Sequence, residues 1–112
     1  MRRVKFVEHS VRTLLLPRQI GTYLDLIEYE KGSAQAALDL LVVINLATIV
    51  DKLTYMSAYS SDLARARRIL QCGRPNGTGL AAVKWALAIH DSQIENATWP
   101  EFAQALDILL AQ

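Results

Sequence analysis

The sequence has one cysteine, three prolines and five glycines among 112 residues, and it carries no large excess of either charge. The single thiol, Cys72, excludes an intramolecular disulfide framework and a multi-cysteine zinc site. A formal net charge of +1 excludes a wholly cationic nucleic-acid-binding coat. An apolar share of 52% excludes an intrinsically disordered tail, which would be poor in such residues. A chain of this length is expected to form one domain, 1–112.

The chain also lacks a long uncharged apolar run. Residues 6–16 contain charged side chains, so the basic start is not followed by the apolar core of a secretory signal. The apolar stretch at 34–50 contains Asp39 and is about 17 residues long, shorter than the roughly 18 to 20 uncharged residues of a membrane helix. The sequence therefore predicts a cytoplasmic protein with no membrane partner, in which Cys72 is reduced.

Helix formers dominate what is present. Alanine and leucine supply 32 of the 112 residues, and the 40 residues between Gly32 and Gly73 contain neither glycine nor proline. We therefore predict an all-α fold, a compact bundle of four to five helices around a long, mostly buried central helix. Residues 1–16 form either an extended arm or a short helix, and residues 73–79 form the main loop.

Glycine, proline and capping residues predict the boundaries of the helices before and after the central one. The first helix runs from Pro17 to about Lys31 and is closed by Gly32; its predicted apolar stripe is Ile20, Leu24 and Ile27. A helix at about 80–95 buries a stripe of Leu80, Val83, Leu87, His90 and Ile94. The last helix starts after Thr98, with Pro100 in its first turn and Glu101 completing a capping box; its core face is Trp99, Phe102, Leu106 and Leu109.

The central helix begins after Ser33, a good N-cap residue, and is apolar on nearly opposite sides. One stripe is Leu38, Leu41, Val42, Leu46, Ile49, Leu53 and Met56, and the other is Leu40, Val43, Ala47 and Val50. A helix that is apolar on almost all sides must be covered on almost all sides, so we predict that a second subunit covers part of it. The residues predicted to make this homodimer contact are Leu46, Ile49, Leu53 and Met56.

The sequence leaves open whether residues 33–72 form one helix or two. Residues 57–62 are the expected interruption, with a fresh N-cap at Ser60 or Ser61. A helix from Asp62 to Cys72 would then follow.

The near-zero net charge results from cancellation between blocks. Residues 1–18 carry +4, residues 19–64 carry −4, residues 65–84 carry +5 and residues 85–112 carry −4. The blocks can form solvated faces with modest ion pairing, a phosphate-binding surface or a docking surface for an acidic protein. The predicted partner-binding residues, which would bind phosphate in the second case, are Tyr59, Arg65, Arg67, Arg68 and Arg74.

Patterns that would carry catalysis are weak. The glycine-rich segment 73–79 lacks the Lys-Ser/Thr pair and the preceding strand of a P-loop, so it is interpreted as an inter-helix turn. His90 falls on an apolar stripe, which predicts a core or interface histidine, and no histidine pair has the spacing of metal ligands. We therefore predict no enzymatic activity, cofactor or metal. A thiol enzyme that uses Cys72 is a further hypothesis, tested by its rate of alkylation.

One segment resembles a known family. Leu15-Leu16-Pro17-Arg18-Gln19, the apolar pairs 23–24 and 26–27, and the spacing of Gly32, Leu38, Val42, Ile44, Thr48 and Ile49 are similar to the DNA-binding helix-turn-helix of LuxR-type regulators. The sequence departs from that pattern at the turn, where Val43 stands, and in the recognition helix, where Val50 replaces a basic residue. The resemblance implies a DNA-binding regulator with a degenerate helix-turn-helix. One uninterrupted buried helix explains the same residues.

The sequence thus favours a small non-enzymatic regulatory or adaptor protein of bacterial or phage type. It would act through protein–protein contacts as a homodimer, for example by sequestering another regulator. The alternative is a DNA-binding transcriptional regulator that uses its basic patches, with nucleic acid as its partner.

Overall fold

A computed structural model of the chain describes residues 20–72, 77–96 and 99–111. This part contains five α-helices and no strand. The helices are α1 (residues 20–30), α2 (Ala34–Thr54), α3 (Ser60–Gln71), α4 (Gly77–Asn96) and α5 (Trp99–Ala111). The all-α prediction is confirmed. The predictions for the arm at 1–16, for Pro17 and for Thr98 lie outside the described residues.

Helices α1 and α2 meet in a tight junction that the sequence predicted. Gly32 has φ of +94°, a left-handed conformation that glycine adopts without strain. The backbone N–H groups of Gly32 and Ser33 donate to the carbonyls of Tyr29 and Glu28, which closes α1 as a Schellman motif. The hydroxyl of Ser33 then accepts the N–H of Ala36 at 3.1 Å and caps α2. One short segment therefore ends α1 and starts α2.

Helix α2 is the centre of the bundle, since it contacts α3, α4 and α5. Its predicted second stripe, Leu40, Val43, Ala47 and Val50, is fully buried. The upper core joins α2 to α1, α3 and α4 through residues such as Leu26, Leu63 and Val83. A lower core joins it to the end of α4 and to α5 through Leu46, Val50, Ile94, Phe102 and Ala105.

The predicted apolar stripe of α1 is wrong. Ile20, Leu24 and Ile27 are each about half exposed, and the buried face is Thr22, Leu26 and Tyr29. Both sets have helical spacing, so the pattern alone does not select the face. The flank facing α4 fixes the rotation of α1: the Tyr23 hydroxyl donates to the Asp91 carboxylate, and Glu30 forms a 3.2 Å ion pair with Lys84.

Residues 33–72 form two helices, and the break is at residues 55–59. The predicted cap at Ser60 or Ser61 is wrong, because the N-cap of α3 is Tyr59 and it makes no side-chain capping bond. The Asp51 carboxylate, near the end of α2, caps α3 instead: both of its oxygens accept the Tyr59 N–H at 3.2 Å. The Asp51 carbonyl also accepts the N–H of Tyr55 and Ser57.

Helix α4 begins at Gly77, so the predicted 73–79 loop is too long at its end. Glycine disfavours a helix interior, but Gly77 and Gly79 lie in the first turn of α4, where the N–H groups lack intrahelical partners in any helix. Gly79 is also buried there against the rest of the bundle. The predicted stripe is confirmed, with Leu80 half-buried and the other four buried. Deeper in α4, the buried Gln93 amide donates to the Ala47 carbonyl at 2.9 Å and ties α4 to α2.

Helix α5 packs through the predicted residues Phe102, Leu106 and Leu109. Its first turn is also tied to the end of α2, because the Thr54 hydroxyl donates to the Glu101 carboxylate at 2.7 Å. In the described ranges, no helix combines the length and apolarity needed to cross a membrane.

We expect Tyr29→Phe to leave stability unchanged or slightly raised. Tyr29 is 1% exposed, and its buried hydroxyl has no hydrogen-bond partner among the residues that the structure describes. Burying an unpaired hydroxyl opposes folding, so its removal leaves the ring's packing and takes away that cost. Urea unfolding of the two proteins tests this. The matched variant Tyr23→Phe, which removes the bond to Asp91, should lower stability by about 0.5–1.5 kcal/mol. A comparable loss in Tyr29→Phe would show that its hydroxyl is satisfied.

Candidate self-association face and partner-binding groove

One face of α2 is not covered by the described helices. It consists of Leu38, Val42, Asn45, Ile49 and Leu53, which we call the α2 outer face. Leu38, Val42 and Leu53 are 57%, 44% and 38% exposed, and Asn45 and Ile49 are half-buried. The first four residues are spaced by four, three and four positions, which is the spacing that places residues along one seam of a coiled coil.

Of the four residues predicted for self-association, only Ile49 and Leu53 lie on this face. Leu46 is 2% exposed and lies in the lower core, so it stabilises the chain itself and is not a surface residue. Ile49 packs partly against that core. Leu53 is on the outer face, and Met56 is 92% exposed in the break after α2. The spacing of apolar residues assigned Leu46 to the self-association face of α2, because spacing alone does not show that α5 packs over this residue.

The exposed apolar area of the outer face is large enough to matter. Together with Met56, the exposed parts of Leu38, Val42 and Leu53 correspond to on the order of 400 Å², the size of the largest apolar patch on a typical monomer, which is often functional. A standard interface buries about 800 Å² on each partner, a little over half of it apolar. The outer face and Met56 together therefore offer most of the apolar surface that one side of such an interface needs.

A groove between α3 and α4 is the second surface feature. It has a volume of about 320 Å³ and is lined by Asp62, Arg65, Thr78, Ala81, Ala82 and Trp85. Trp85 is 53% exposed, which is unusual for so large an apolar side chain. The two alanines leave room beside the indole, and Arg65 adds a cation at the same place.

The predicted partner-binding residues are distributed around α3. Arg65 lines the groove, and Arg68 is exposed. Arg67 is half-buried, and Tyr59 is 38% exposed and packs edge-on against Tyr55 at 6.4 Å between ring centroids. Arg74 lies outside the described residues. Trp85 was not among the predicted partner-binding residues; the sequence signal that could have found it is an indole three and four positions after Ala82 and Ala81.

Within residues 20–72, 77–96 and 99–111, the groups that could carry chemistry lie apart from one another. His90 is buried, with its Nδ1 3.0 Å from Oε1 of Gln93 and its ring edge-on to Phe102. This confirms the predicted core histidine. Cys72 is a free, exposed thiol at the end of α3. Over the described ranges, no group of three or more His, Cys, Asp or Glu side chains is arranged to hold a metal ion.

Tyr23 has a large pKa shift. Its hydrogen bond to Asp91, together with partial burial, raises the pKa of the Tyr23 phenol to about 12. This contact joins α1 to α4 and leaves the phenol protonated at neutral pH. It acts as a structural link and not as an acid or base.

The segment that resembles a helix-turn-helix does not fold as one. Helix α2 continues from Ala34 to Thr54, so no turn exists at Val43. Val43 and Val50 are buried against the chain's own helices, and a recognition helix must present polar side chains to a groove. The uninterrupted helix that the sequence offered as the other explanation of these residues is confirmed over Ala34–Thr54.

Comparison with protein-family models, with curated proteins and with solved structures finds no match to this chain. Its function must therefore be argued from its own surfaces.

Proposed function

We propose that the chain is a small, cytoplasmic, non-enzymatic regulatory or adaptor protein that acts through protein–protein contacts as a homodimer. The observation that carries the proposal is the α2 outer face, an apolar seam along the most central helix of the bundle. Its partner is a second copy of the chain, and the dimer presents other surfaces for a target such as a regulator that it sequesters.

The choice of a second copy follows from area and composition. The exposed apolar surface of the outer face and of the neighbouring Met56, together on the order of 400 Å², is close to the apolar share of one side of a standard interface. A two-fold interface uses the same patch on both subunits, so the patch must be self-complementary. The outer face meets this condition because its five members are all uncharged.

The groove between α3 and α4 is the proposed surface for the target. It combines an exposed indole with Arg65, and Arg68 is exposed on the same helix. Tryptophan and arginine are the side chains most enriched at the energetic centres of interfaces. The positive charge of these arginines favours a protein segment that carries carboxylates beside an apolar side chain.

We expect the wild-type chain to have a mass in solution of about twice its 12.5 kDa and Val42→Lys to have the mass of a monomer. Val42 is exposed, so the lysine disturbs the association and not the core, and two lysines brought together across a two-fold axis repel. Sedimentation equilibrium measures the masses, and circular dichroism checks that the helical content is unchanged.

The matched control is Leu110→Lys, which places the same charge at an 81% exposed position on α5. It should remain a dimer. A wild-type chain that stays monomeric across the micromolar range would refute the proposal, as would a Val42→Lys variant that dimerises as well as the control.

A further inference from the structure

The α2 outer face has one polar member, Asn45, near its middle. It lies seven residues after Leu38 and eight before Leu53, between Val42 and Ile49. The side chain is half-buried and makes no hydrogen bond to another described residue. An amide at this place would be costly in an apolar interface unless it found a partner there.

The amide can find that partner in its own copy. A side-chain amide carries both an acceptor oxygen and two N–H donors, so two asparagines can pair with each other. In a two-fold dimer a residue next to the axis meets the same residue of the other subunit. Asn45 lies near the middle of the face along the helix. It can therefore meet the Asn45 of the second copy in a parallel pair of α2 helices and also in an antiparallel pair that crosses at this point.

We infer that Asn45 lies beside the two-fold axis of the dimer, where the two side-chain amides hydrogen-bond and restrict the assembly to two subunits in one register. This inference rests on the proposed dimer. A single seam asparagine has this effect in coiled coils, because any shifted or larger assembly leaves the amide unpaired in apolar surroundings. Leu38, Val42 and Ile49 supply the association, and Asn45 supplies its specificity.

Disulfide cross-linking tests the position of the axis. In a Cys72→Ser background, Asn45→Cys should be converted by mild oxidation into a covalent dimer, seen on a non-reducing gel. Gln104→Cys, at an exposed position of α5, is the matched control and should cross-link at least tenfold more slowly. Equal rates for the two variants would overturn the inference.

A second variant tests specificity. Asn45→Leu should still associate but lose its unique state, so that native mass spectrometry shows trimers or tetramers beside dimers. A uniform Asn45→Leu dimer, together with slow cross-linking at position 45, would overturn the inference and leave the dimer itself intact. A monomeric wild-type chain would instead overturn the proposed function.

Discussion

Replacing Phe102 with alanine is expected to lower the free energy of unfolding by about 3–5 kcal/mol. Phe102 is 1% exposed and is the largest side chain of the lower core, where it lies with Leu46, Val50 and Ile94. Its ring also packs edge-on against the His90 imidazole, with 6.4 Å between the ring centroids. Truncation removes the buried ring and leaves a cavity among residues of three helices, which cannot all collapse into it.

The loss is large relative to the whole, since domains of this size have unfolding free energies of about 5–15 kcal/mol. The melting temperature should fall by on the order of 15 °C. Urea unfolding measures the change, and Leu110→Ala, on the same helix but 81% exposed, should change stability by no more than about 0.5 kcal/mol. If Phe102→Ala cost less than about 1 kcal/mol, the lower core could not be what holds α5 to the bundle.

Local chemistry made some of these elements predictable. The left-handed Gly32 and the Ser33 cap depend only on neighbouring backbone, so the sequence was sufficient to locate the junction of α1 and α2. The buried stripe of α4 was predictable for a similar reason, because its apolar residues form a single face with helical spacing.

The wrong predictions concern the buried faces of helices on which two sets of residues have equally good helical spacing. On α1, Ile20, Leu24 and Ile27 have the same spacing as the buried Thr22, Leu26 and Tyr29, and only contacts to α4 decide between them. On α2, Leu46 was assigned to the surface seam because the sequence could not show that α5 covers it. The predicted stripe contained the four apolar residues of the outer face, but also Leu41 and Leu46, which pack in the core, and it omitted Asn45.

The break between α2 and α3 shows a further limit of sequence patterns. Ser60 and Ser61 are ordinary capping residues, yet the cap comes from Asp51, eight positions before Tyr59. The segment between them places Met56 and Ser57 at φ of 52° and 64°, conformations that are uncommon for residues other than glycine. A bond that closes such a turn is set by tertiary geometry, and no local motif predicts it.

Replacing Asp51 with alanine is therefore expected to lower the free energy of unfolding by about 1.5–3 kcal/mol. The carboxylate is 1% exposed, and both of its oxygens receive the Tyr59 N–H. Without it, this N–H loses its acceptor, and the turn with its left-handed residues retains only the backbone bonds, such as those from Tyr55 and Ser57 to the Asp51 carbonyl. Asp51→Asn retains one acceptor oxygen, so its free energy of unfolding should fall less than that of Asp51→Ala. Urea unfolding of the three proteins gives the ranking.

The pH dependence separates the charge of Asp51 from its hydrogen bond. Burial raises the pKa of the Asp51 carboxyl above its ordinary value of 3.8, although the Tyr59 N–H opposes part of that rise. A raised pKa means that the folded state binds the proton more tightly than the unfolded state. The stabilisation is therefore complete below about pH 4 and is lost as the pH rises through the folded pKa.

Asp51→Asn is the control for this effect, since it cannot titrate. The stability of the wild type relative to Asp51→Asn should increase as the pH falls from 7 to 4, and the other carboxyls, including Asp25 with its own raised pKa, cancel in the difference. A difference that stays constant on acidification would show that the Asp51 carboxyl is not desolvated. A difference that shrinks would mean that the bond from the Tyr59 N–H, which favours the ionised carboxylate, outweighs the effect of burial on the Asp51 pKa.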